Sequence, residues 1–368
     1  MIHSEYKHGG DVFGAARSLQ CNPREIYDFS ANINPLGPSP LALASIKDNL
    51  DLIRHYPDPR CTELRGVLSR HLKVAPEKMV LGNGAAELIF LLPRVMGYRQ
   101  AVVTTPTFME YGTAMANAGG MVYEVPLLEE EGFGLPVPRV NKALCSADVV
   151  FICNPNNPTG GAVKKPIIQS IIENARTYGT TVVVDESFID FVYRQELYSV
   201  LPLLNDYPNL IVLYSLTKFF GIPGLRLGVL MAGESIIERI EAAKAPWDVN
   251  CLAQIAGAAA LVDEEFMAQT RQLVWQERDF LRREVSLIPG LNAFNGKANF
   301  LLIKIERSEI SSAQLAARAA KQGVLVRDCA SFSGLGNKYI RVAVRTRSEN
   351  LVLLKVLREI MKGVTHGL

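Results

Sequence analysis

Apolar residues along the chain gather in short runs that alternate with longer segments of helical spacing. The runs that predict strands are Lys78–Leu81, Ala101–Thr104, Asp148–Cys153, Thr181–Asp185, Leu210–Tyr214 and Leu227–Met231. Between several of them lie helical segments, such as Lys165–Tyr178, whose apolar residues recur every three or four positions. Continuous apolar strands separated by helices are typical of a largely parallel sheet that is covered on both faces. The sequence therefore predicts the α/β class.

The pattern changes after about Glu234, where helices become longer and strands fewer. Helices are predicted over Ser235–Lys244 and, as one long tract, over Cys251–Ser286. The remaining predicted elements are strands at Asn299–Ile305, Val324–Arg327 and Tyr339–Val344 and helices at Ser312–Gln322 and Glu349–Lys362. We therefore predict a large α/β domain over 41–250, a smaller α+β domain over 251–368, and an N-terminal arm over 1–40 that packs with the small domain.

Composition narrows the possible environments and partners. The chain of 368 residues carries a formal net charge of only +2, which gives no strong field for nucleic acid or an anionic membrane. It has no apolar run of about 18 residues, the length typical of a membrane-spanning helix. The six cysteines are scattered without a C-x-x-C pair, which argues against a zinc, iron–sulfur or disulfide scaffold. We therefore expect a reduced, cytoplasmic protein without a metal site.

Candidate ligand-binding residues follow the predicted strands, because ligands of open α/β sheets bind at the carboxyl ends of the strands. The segment 82–87 (GNGAAE) precedes an apolar helix, so its backbone N–H groups could approach an anion, with a plain tight turn as the alternative. The segment 154–160 (NPNNPTG) is either a rigid ligand loop or a structural turn. Asp185 ends a buried strand, where a carboxylate needs either a cationic partner or a helix N-terminus to cap.

The segment 215–228 (SLTKFFGIPGLRLG) carries the most specific pattern. Ser215 and Thr217 can donate hydroxyl hydrogen bonds, and Arg226 can make a forked contact with a phosphate. Lys218 can act as an amine nucleophile if its surroundings disfavour the ammonium form. Since a single lysine is usually a solvated surface charge, this interpretation rests on the whole segment.

Together these spaced segments resemble the fold-type I pyridoxal-phosphate (PLP) enzymes of the class I/II aminotransferase superfamily, over essentially the full chain. The resemblance implies PLP as the cofactor, with Lys218 holding it as a Schiff base. It also implies that Asp185 binds the pyridine nitrogen, that Asn157 contacts the phenolic oxygen and that Phe108 stacks on the ring. The residues expected at the cofactor phosphate are Gly84, Ala85, Ser215, Arg226 and, from a neighbouring subunit of a homodimer with shared active sites, Tyr56.

Within this superfamily the chain is most similar to the L-threonine O-3-phosphate decarboxylases of cobalamin biosynthesis, and histidinol-phosphate aminotransferases are close relatives. The similarity rests on segments 8–10 (HGG), 28–37 (DFSANINPLG) and 339–345 (YIRVAVR), and on Arg327. Two positions favour the decarboxylases. Phe188 stands where these transaminases usually have tyrosine, and Arg345 where histidinol-phosphate aminotransferases usually have a small residue.

The resemblance therefore implies decarboxylation of O-phospho-L-threonine to (R)-1-amino-2-propanol O-2-phosphate, or of O-phospho-L-serine to ethanolamine phosphate. One methyl group separates the two substrates, and an apolar pocket discriminates a methyl by only about 1–3 kcal/mol. The alternatives are a histidinol-phosphate type of aminotransferase and a non-catalytic PLP-binding protein. Retention of Lys218, Asp185, Asn157 and Arg226 argues against the non-catalytic alternative.

The expected partner is a small phosphorylated amino acid, and we predict that Arg341 binds its carboxylate. Arg345 follows four residues later, so on one strand both side chains would share a face, unless Arg345 pairs with an acid elsewhere. Lys218, once released from the cofactor, is the candidate acid that reprotonates Cα. The residues predicted around the substrate phosphate are Arg327, Arg345, Asn32 and His8, the last with a plain tail residue as the alternative.

Overall fold

The computed structural model describes residues 9–365, which form three sheets and the helices around them. The strands are β1 (Tyr27–Asp28), β2 (Met79–Gly82), β3 (Gln100–Thr105), β4 (Met121–Pro126), β5 (Val149–Cys153), β6 (Thr181–Asp185), β7 (Leu210–Ser215), β8 (Gly228–Met231), β9 (Leu291–Ala293), β10 (Phe300–Ile305), β11 (Val324–Leu325), β12 (Arg327–Asp328) and β13 (Tyr339–Ala343). The α-helices are α1 (Val12–Leu19), α2 (Pro40–Asp48), α3 (Thr62–Leu72), α4 (Ala85–Met96), α5 (Glu110–Asn117), α6 (Val137–Leu144), α7 (Lys165–Thr177), α8 (Leu216–Phe219), α9 (Glu234–Ala243), α10 (Cys251–Ala260), α11 (Glu264–Ser286), α12 (Ser312–Ala320) and α13 (Arg347–Thr365).

The large sheet has seven strands in the order β2-β8-β7-β6-β5-β3-β4. The neighbours from β7 to β4 pair in parallel, whereas β8 is antiparallel to both β2 and β7. Successive residues of a strand point to opposite faces, and in β6 Val182 and Val184 pack in one hydrophobic core while Val183 packs in another. Both faces are therefore covered, and the predicted α/β class with a mostly parallel sheet is confirmed.

The edge strand β4 was not predicted from the sequence. Its residues Met121 and Tyr123 are exposed, and among its six residues only Val125 is buried. A strand with one buried residue lacks the continuous apolar run by which the central strands are found.

The tract predicted as one helix over 251–286 is two helices. The break falls after α10, where the side chain of Asp263 accepts a hydrogen bond from the backbone N–H of Phe266 and so caps α11. The hydroxyl of Ser39 donates to the other carboxylate oxygen of Asp263 at 2.6 Å, which ties this break to the start of α2.

A second sheet, ordered β12-β13-β10-β9, is antiparallel throughout and packs on a separate core with α12 and α13. Near the N-terminus, β1 pairs in parallel with β11, and Phe29 is buried in this second core. Helix α10 contributes Ala253 and Ala256 to the core of the large sheet. The domain limits 1–40, 41–250 and 251–368 stay a prediction. The packing of α10 bears on the limit at 250/251, because this helix lies in the segment assigned to the small domain but packs with the large sheet. No helix in the described range is long and apolar enough to cross a membrane.

Candidate active site

A cavity of about 740 Å³ opens at the carboxyl ends of the parallel strands, against β12 and β13 of the second sheet. Most of the residues predicted for the site line it together, although they lie far apart in the sequence. They are Asn32, Gly84, Ala85, Phe108, Asn157, Asp185, Ser215, Lys218, Arg226, Arg327 and Arg341. The cavity is also lined by Phe188 and, from the N-terminal segment, by Gly9, Gly10 and Val12.

One end of the cavity is built for an anion around the N-terminus of α4. Gly84 precedes this helix with φ +83° and no side chain caps the helix, so the N–H groups of Ala85 and Ala86 are available to a ligand, whereas that of Glu87 donates to the Gly84 carbonyl. A Cβ atom at Gly84 would lie 2.6 Å from the Nη2 atom of Arg226, so only glycine lets the guanidinium approach this closely. Gly228 packs equally tightly, because a Cβ there would lie 2.2 Å from the backbone nitrogen of Ala85. Backbone N–H groups and a guanidinium at one point suit a phosphate.

Lys218 lies in α8, directly after β7, next to two hydroxyl groups. The Oγ atom of Ser215 and the Oγ1 atom of Thr217 are 2.8 Å apart, and both residues are buried. Burial, together with the positive charges of Arg226 and Arg341, lowers the pKa of the Lys218 amine from 10.5 to about 8, while the Asp185 carboxylate opposes this shift. This amine is neutral far more often than an ordinary lysine near neutral pH, as a nucleophile requires.

Asp185 ends β6 and is only 4% exposed. Its Oδ2 atom accepts a hydrogen bond from the hydroxyl of Tyr111 at 2.7 Å, and its Oδ1 atom accepts one from the backbone N–H of Ser187 at 2.9 Å. Each carboxylate oxygen keeps further acceptor capacity toward the cavity. The sequence analysis did not single out Tyr111, although it lies one helical turn beyond Phe108.

Asn157 and Arg341 are linked across the cavity. The Nη1 atom of Arg341 donates to Oδ1 of Asn157 at 2.5 Å, and its Nη2 atom donates to the backbone oxygen of Ser30 at 2.7 Å. With its oxygen held in this way, the side chain of Asn157 offers its N–H groups to a ligand. The Nε atom of Arg341 and the Oδ1 atom of Asn32 are buried without a partner in the described structure, so both are free to bind a ligand.

Two buried arginines lie opposite each other on adjacent strands of the second sheet. Arg327 in β12 and Arg341 in β13 are directly opposed, and no ion pair joins either to a carboxylate of the described residues. Arg327 donates to the hydroxyl of Ser331 at 2.8 Å, and its guanidinium lies 5.3 Å from the ring centre of Phe332. Like charges directly opposite each other destabilise a sheet. An anionic ligand between or beside the two guanidinium groups would offset this repulsion.

The sequence analysis paired Arg341 with Arg345 instead, and this part of it was wrong. Strand β13 ends at Ala343, so the alternation of strand side chains does not extend to Arg345. The guanidinium of Arg345 bonds twice to Oε1 of Glu349, at 2.6 and 3.1 Å, and Arg345 is not among the residues lining the cavity. The alternative considered for Arg345, an ion pair with an acid, is the arrangement observed.

Tyr56, another predicted residue, is not among those that line the cavity of its own chain. Tyr56 is 78% exposed, and its ring stacks on Trp247 with the centroids 4.4 Å apart. An exposed position suits a residue predicted to serve a neighbouring subunit, but that role stays a prediction. His8 lies outside the described residues.

Ser30 is a second residue that the sequence analysis did not identify as part of the site. Its hydroxyl accepts a hydrogen bond from the backbone N–H of Gly10 at 2.7 Å and donates to Asp28 at 2.6 Å. Gly9 lies so close that a Cβ atom there would be 2.2 Å from the Ser30 oxygen. Ser30 thus holds the N-terminal segment over the cavity while its carbonyl contacts Arg341. Ser30 lies within the segment 28–37, on which the resemblance partly rests, and this position could have indicated a role in the site.

The family model for aminotransferase class I and II matches residues 24–357. The chain belongs to this family. It is a PLP-dependent enzyme with the fold-type I architecture, as the sequence predicted. The anion site at Gly84 and Arg226, found in one cavity with the buried Asp185 and a lysine of lowered pKa, fits this cofactor.

Three comparisons show where the chain stands within the family. It is 37% identical to a threonine-phosphate decarboxylase from Salmonella typhimurium, over 97% of both chains. It is 32% identical to a histidinol-phosphate aminotransferase from Methanosphaera stadtmanae, over 92% of this chain and 91% of that one. The crystal structure of a histidinol-phosphate aminotransferase from Clostridium acetobutylicum superposes with a TM-score of 0.86 at 28% identity, covering 92% of this chain and all of that one. Both types of enzyme are thus close relatives.

Proposed function

We propose that this enzyme decarboxylates O-phospho-L-threonine to (R)-1-amino-2-propanol O-2-phosphate, which would serve as the linker of the cobalamin nucleotide loop. The observation that carries the proposal is the opposed pair Arg327 and Arg341, buried in the cavity without a carboxylate partner among the described residues. A small amino acid with both a carboxylate and a phosphate would satisfy two such cations. The identity of 37% to a threonine-phosphate decarboxylase supports the same substrate.

The cavity residues suggest how the cofactor would be held. Lys218 would bind it covalently, and Asp185 would face its pyridine nitrogen. Phe108 would cover its ring, and the N–H groups of Asn157 would reach its phenolic oxygen. The residues proposed at its phosphate are Gly84, Ala85, Ser215 and Arg226. When bound, PLP supplies an electron sink for the pair left on Cα when a bond to that carbon breaks.

The remaining groups suggest how the substrate would be oriented. Arg341 would bind the carboxylate through its partnerless Nε atom, while Arg327 and Asn32 would meet the phosphate. His8, which directly precedes Gly9 in the sequence, stays a prediction for the surroundings of the phosphate. Arg345 is no longer proposed as a direct contact, because its guanidinium is bonded to Glu349.

Decarboxylation needs one bond broken and one proton delivered. The bond from Cα to the carboxylate breaks and CO2 leaves without its electron pair, after which Cα accepts a proton. Lys218 is the proposed donor, because it lies in the cavity and its pKa of about 8 allows it to hold and release a proton near neutral pH. Positioning of the carboxylate by Arg341 would select this bond over the bond from Cα to hydrogen.

We also propose a homodimer in which Tyr56 contributes to the partner's cofactor phosphate site. The supporting observation is that Tyr56 is exposed and is not among the residues that line the cavity of its own chain. Sedimentation of the purified protein at several concentrations tests the assembly, and a monomer at all of them would reject it.

An aminotransferase acting on histidinol phosphate is the second candidate, favoured by the identity of 32% to such an enzyme. Phe188 argues against it. This residue lines the cavity and packs edge-on against Phe300 with centroids 5.1 Å apart, and its ring has no hydroxyl to donate to the cofactor.

The deciding experiment is incubation of the PLP-loaded enzyme with O-phospho-L-threonine and no 2-oxo acid, with CO2 and the amine phosphate as the measured products. Sustained release of CO2 supports the decarboxylase, and the same assay with O-phospho-L-serine ranks the two substrates. Turnover of histidinol phosphate that requires 2-oxoglutarate, without CO2 release from either phospho-amino acid, would overturn the proposal in favour of the aminotransferase.

A further inference from the structure

Tyr111 is a fully buried residue of α5 that none of the proposed roles uses. Its hydroxyl donates a hydrogen bond to Oδ2 of Asp185 at 2.7 Å. Burial, and then the neighbouring Asp185 carboxylate, raises the pKa of the Tyr111 phenol well above its ordinary value. The hydroxyl therefore keeps its proton and stays a donor to Asp185 throughout the working range of pH.

The ring of Tyr111 makes a second, separate set of contacts. It lies against the edge of Phe108, with the centroids 5.6 Å apart and the ring planes at 81°. On its other side it stacks on Phe151 of β5, with the centroids 5.1 Å apart and the planes at 10°. Because Phe151 is fixed inside the large sheet, Tyr111 forms a bridge from the sheet to Phe108.

We propose that Tyr111 is a positioning residue for the cofactor, orienting Asp185 through its hydroxyl and supporting Phe108 through its ring. This inference rests on the proposed cofactor roles of Asp185 and Phe108. A hydrogen bond to a charged carboxylate favours the charged form and fixes its plane. Tyr111 thereby holds the Asp185 carboxylate in one orientation, with its remaining acceptor capacity directed at the proposed position of the pyridine nitrogen.

The two halves of the proposal can be separated by substitution. Tyr111→Phe removes only the hydroxyl and leaves the ring, whereas Tyr111→Leu removes both the hydroxyl and the aromatic contact. The chain also offers a matched control, because the hydroxyl of the fully buried Tyr214 donates to a buried carboxylate, Asp190, at 2.5 Å. Tyr214→Phe therefore imposes the same chemical loss in the separate core on the other face of the large sheet, at a residue that does not line the cavity.

The readouts are the dissociation constant for PLP and the pH midpoint of the absorption band of the bound cofactor. Tyr111→Phe is expected to weaken PLP binding about tenfold, as for loss of one hydrogen bond to a charged group, and to shift the midpoint. Tyr111→Leu is expected to weaken binding by a further factor of about five, from the lost ring contact. Tyr214→Phe is expected to lower thermal stability without changing either cofactor readout.

A coupling test separates positioning from a general loss of stability. If Tyr111 acts through Asp185, then Tyr111→Phe should add nothing to the change in midpoint already caused by Asp185→Asn. Additive effects of the two substitutions, or a Tyr111→Phe variant indistinguishable from Tyr214→Phe, would overturn the role of the hydroxyl. Equal PLP affinities for Tyr111→Phe and Tyr111→Leu would overturn the role of the ring. Failure of the unmodified protein to bind PLP would instead reject the proposed cofactor site, and the inference with it.

Discussion

The ionisation of Lys218 gives a prediction that can be checked before any substrate is known. At about pH 7, a pKa of about 8 leaves about 9% of the amine neutral, whereas the ordinary value of 10.5 would leave about 0.03%. Because the neutral amine is the nucleophile, cofactor-free enzyme should attach PLP faster near neutral pH than an ordinary lysine would, by up to about 300-fold, the ratio of the two neutral fractions. The pKa of Lys218 is lowered because burial and two neighbouring arginines disfavour the ammonium form.

The assay follows covalent attachment of PLP to the cofactor-free enzyme, trapped by chemical reduction and located by mass spectrometry. As the pH rises, the rate at Lys218 should rise and then level off above about pH 8, because the neutral fraction approaches one there. The Lys218→Ala variant gives the background from the other lysines, whose rates should continue to rise toward their ordinary pKa.

Two substitutions test the cause. Arg341→Met removes a positive charge near Lys218. Its removal favours the ammonium form of Lys218, so the pH midpoint for attachment should move higher. Asp185→Asn removes the negative charge that opposes the shift, so the midpoint should move lower. An attachment rate at Lys218 that still rises steeply at about pH 10 would refute the reasoning, because the amine would then behave as a solvated lysine.

Three further predictions concern substrate contact, the anion site and the N-terminal segment. Arg341→Met should lower kcat/KM for O-phospho-L-threonine by about 10²- to 10⁴-fold, the usual result of breaking a buried charge pair. Arg345→Met should change it by less than about threefold, since this residue does not line the cavity, and similar losses in both variants would contradict the assignment. Gly84→Ala should weaken PLP binding by about tenfold or more, because its Cβ would lie 2.6 Å from a guanidinium nitrogen. Gly97→Ala is its control at φ +74° with no atom within 4 Å, and it should lower stability alone; equal PLP affinities would count against the anion site. Ser30→Ala should speed backbone hydrogen exchange over residues 9–12 by about tenfold through loss of one hydrogen bond, and unchanged exchange would show that Ser30 does not hold this segment.

The central sheet could be predicted from the sequence because its strands are buried on both faces. β6 was predicted with its observed limits, and β5 and β7 to within one residue. The ends of these strands then placed Asp185, Asn157 and Lys218 together, because parallel strands bring their carboxyl ends to one edge. Apolar runs reflect burial, so strand prediction from them succeeds where a strand is completely buried and fails at the largely exposed edge strand β4.

The second sheet shows what periodicity cannot give. Arg327 and Arg341 are opposed because of the register between β12 and β13, which are joined by an irregular segment of ten residues, 329–338. Register depends on how distant segments pair, and no local pattern encodes it. The same limit explains the error at Arg345, since the sequence does not show that β13 ends at Ala343.

Tyr111 illustrates a different limit. A sequence can place Tyr111 one turn after Phe108, but it cannot say which strand lies under that turn. The hydrogen bond to Asp185 joins residues 74 positions apart, and it forms only because the fold brings a residue of α5 next to the end of β6. Residues that support a site through another side chain are therefore the ones most easily missed from sequence alone.

Both close relatives share the fold, so under the proposed function the choice between decarboxylation and transamination would depend on how Arg341 orients the substrate. Arg341 contacts Asn157 on the side of the proposed cofactor ring and the Ser30 carbonyl on the side of the N-terminal segment, which leaves Nε for a substrate carboxylate. In the proposed complex, the angle of that carboxylate to the ring would be set by groups from three separate parts of the chain. Small shifts in Ser30 or in the segment it holds would turn the carboxylate and so change which bond to Cα is aligned for cleavage. A fold shared by two reactions can in this way commit to one of them without changing its lysine or its aspartate.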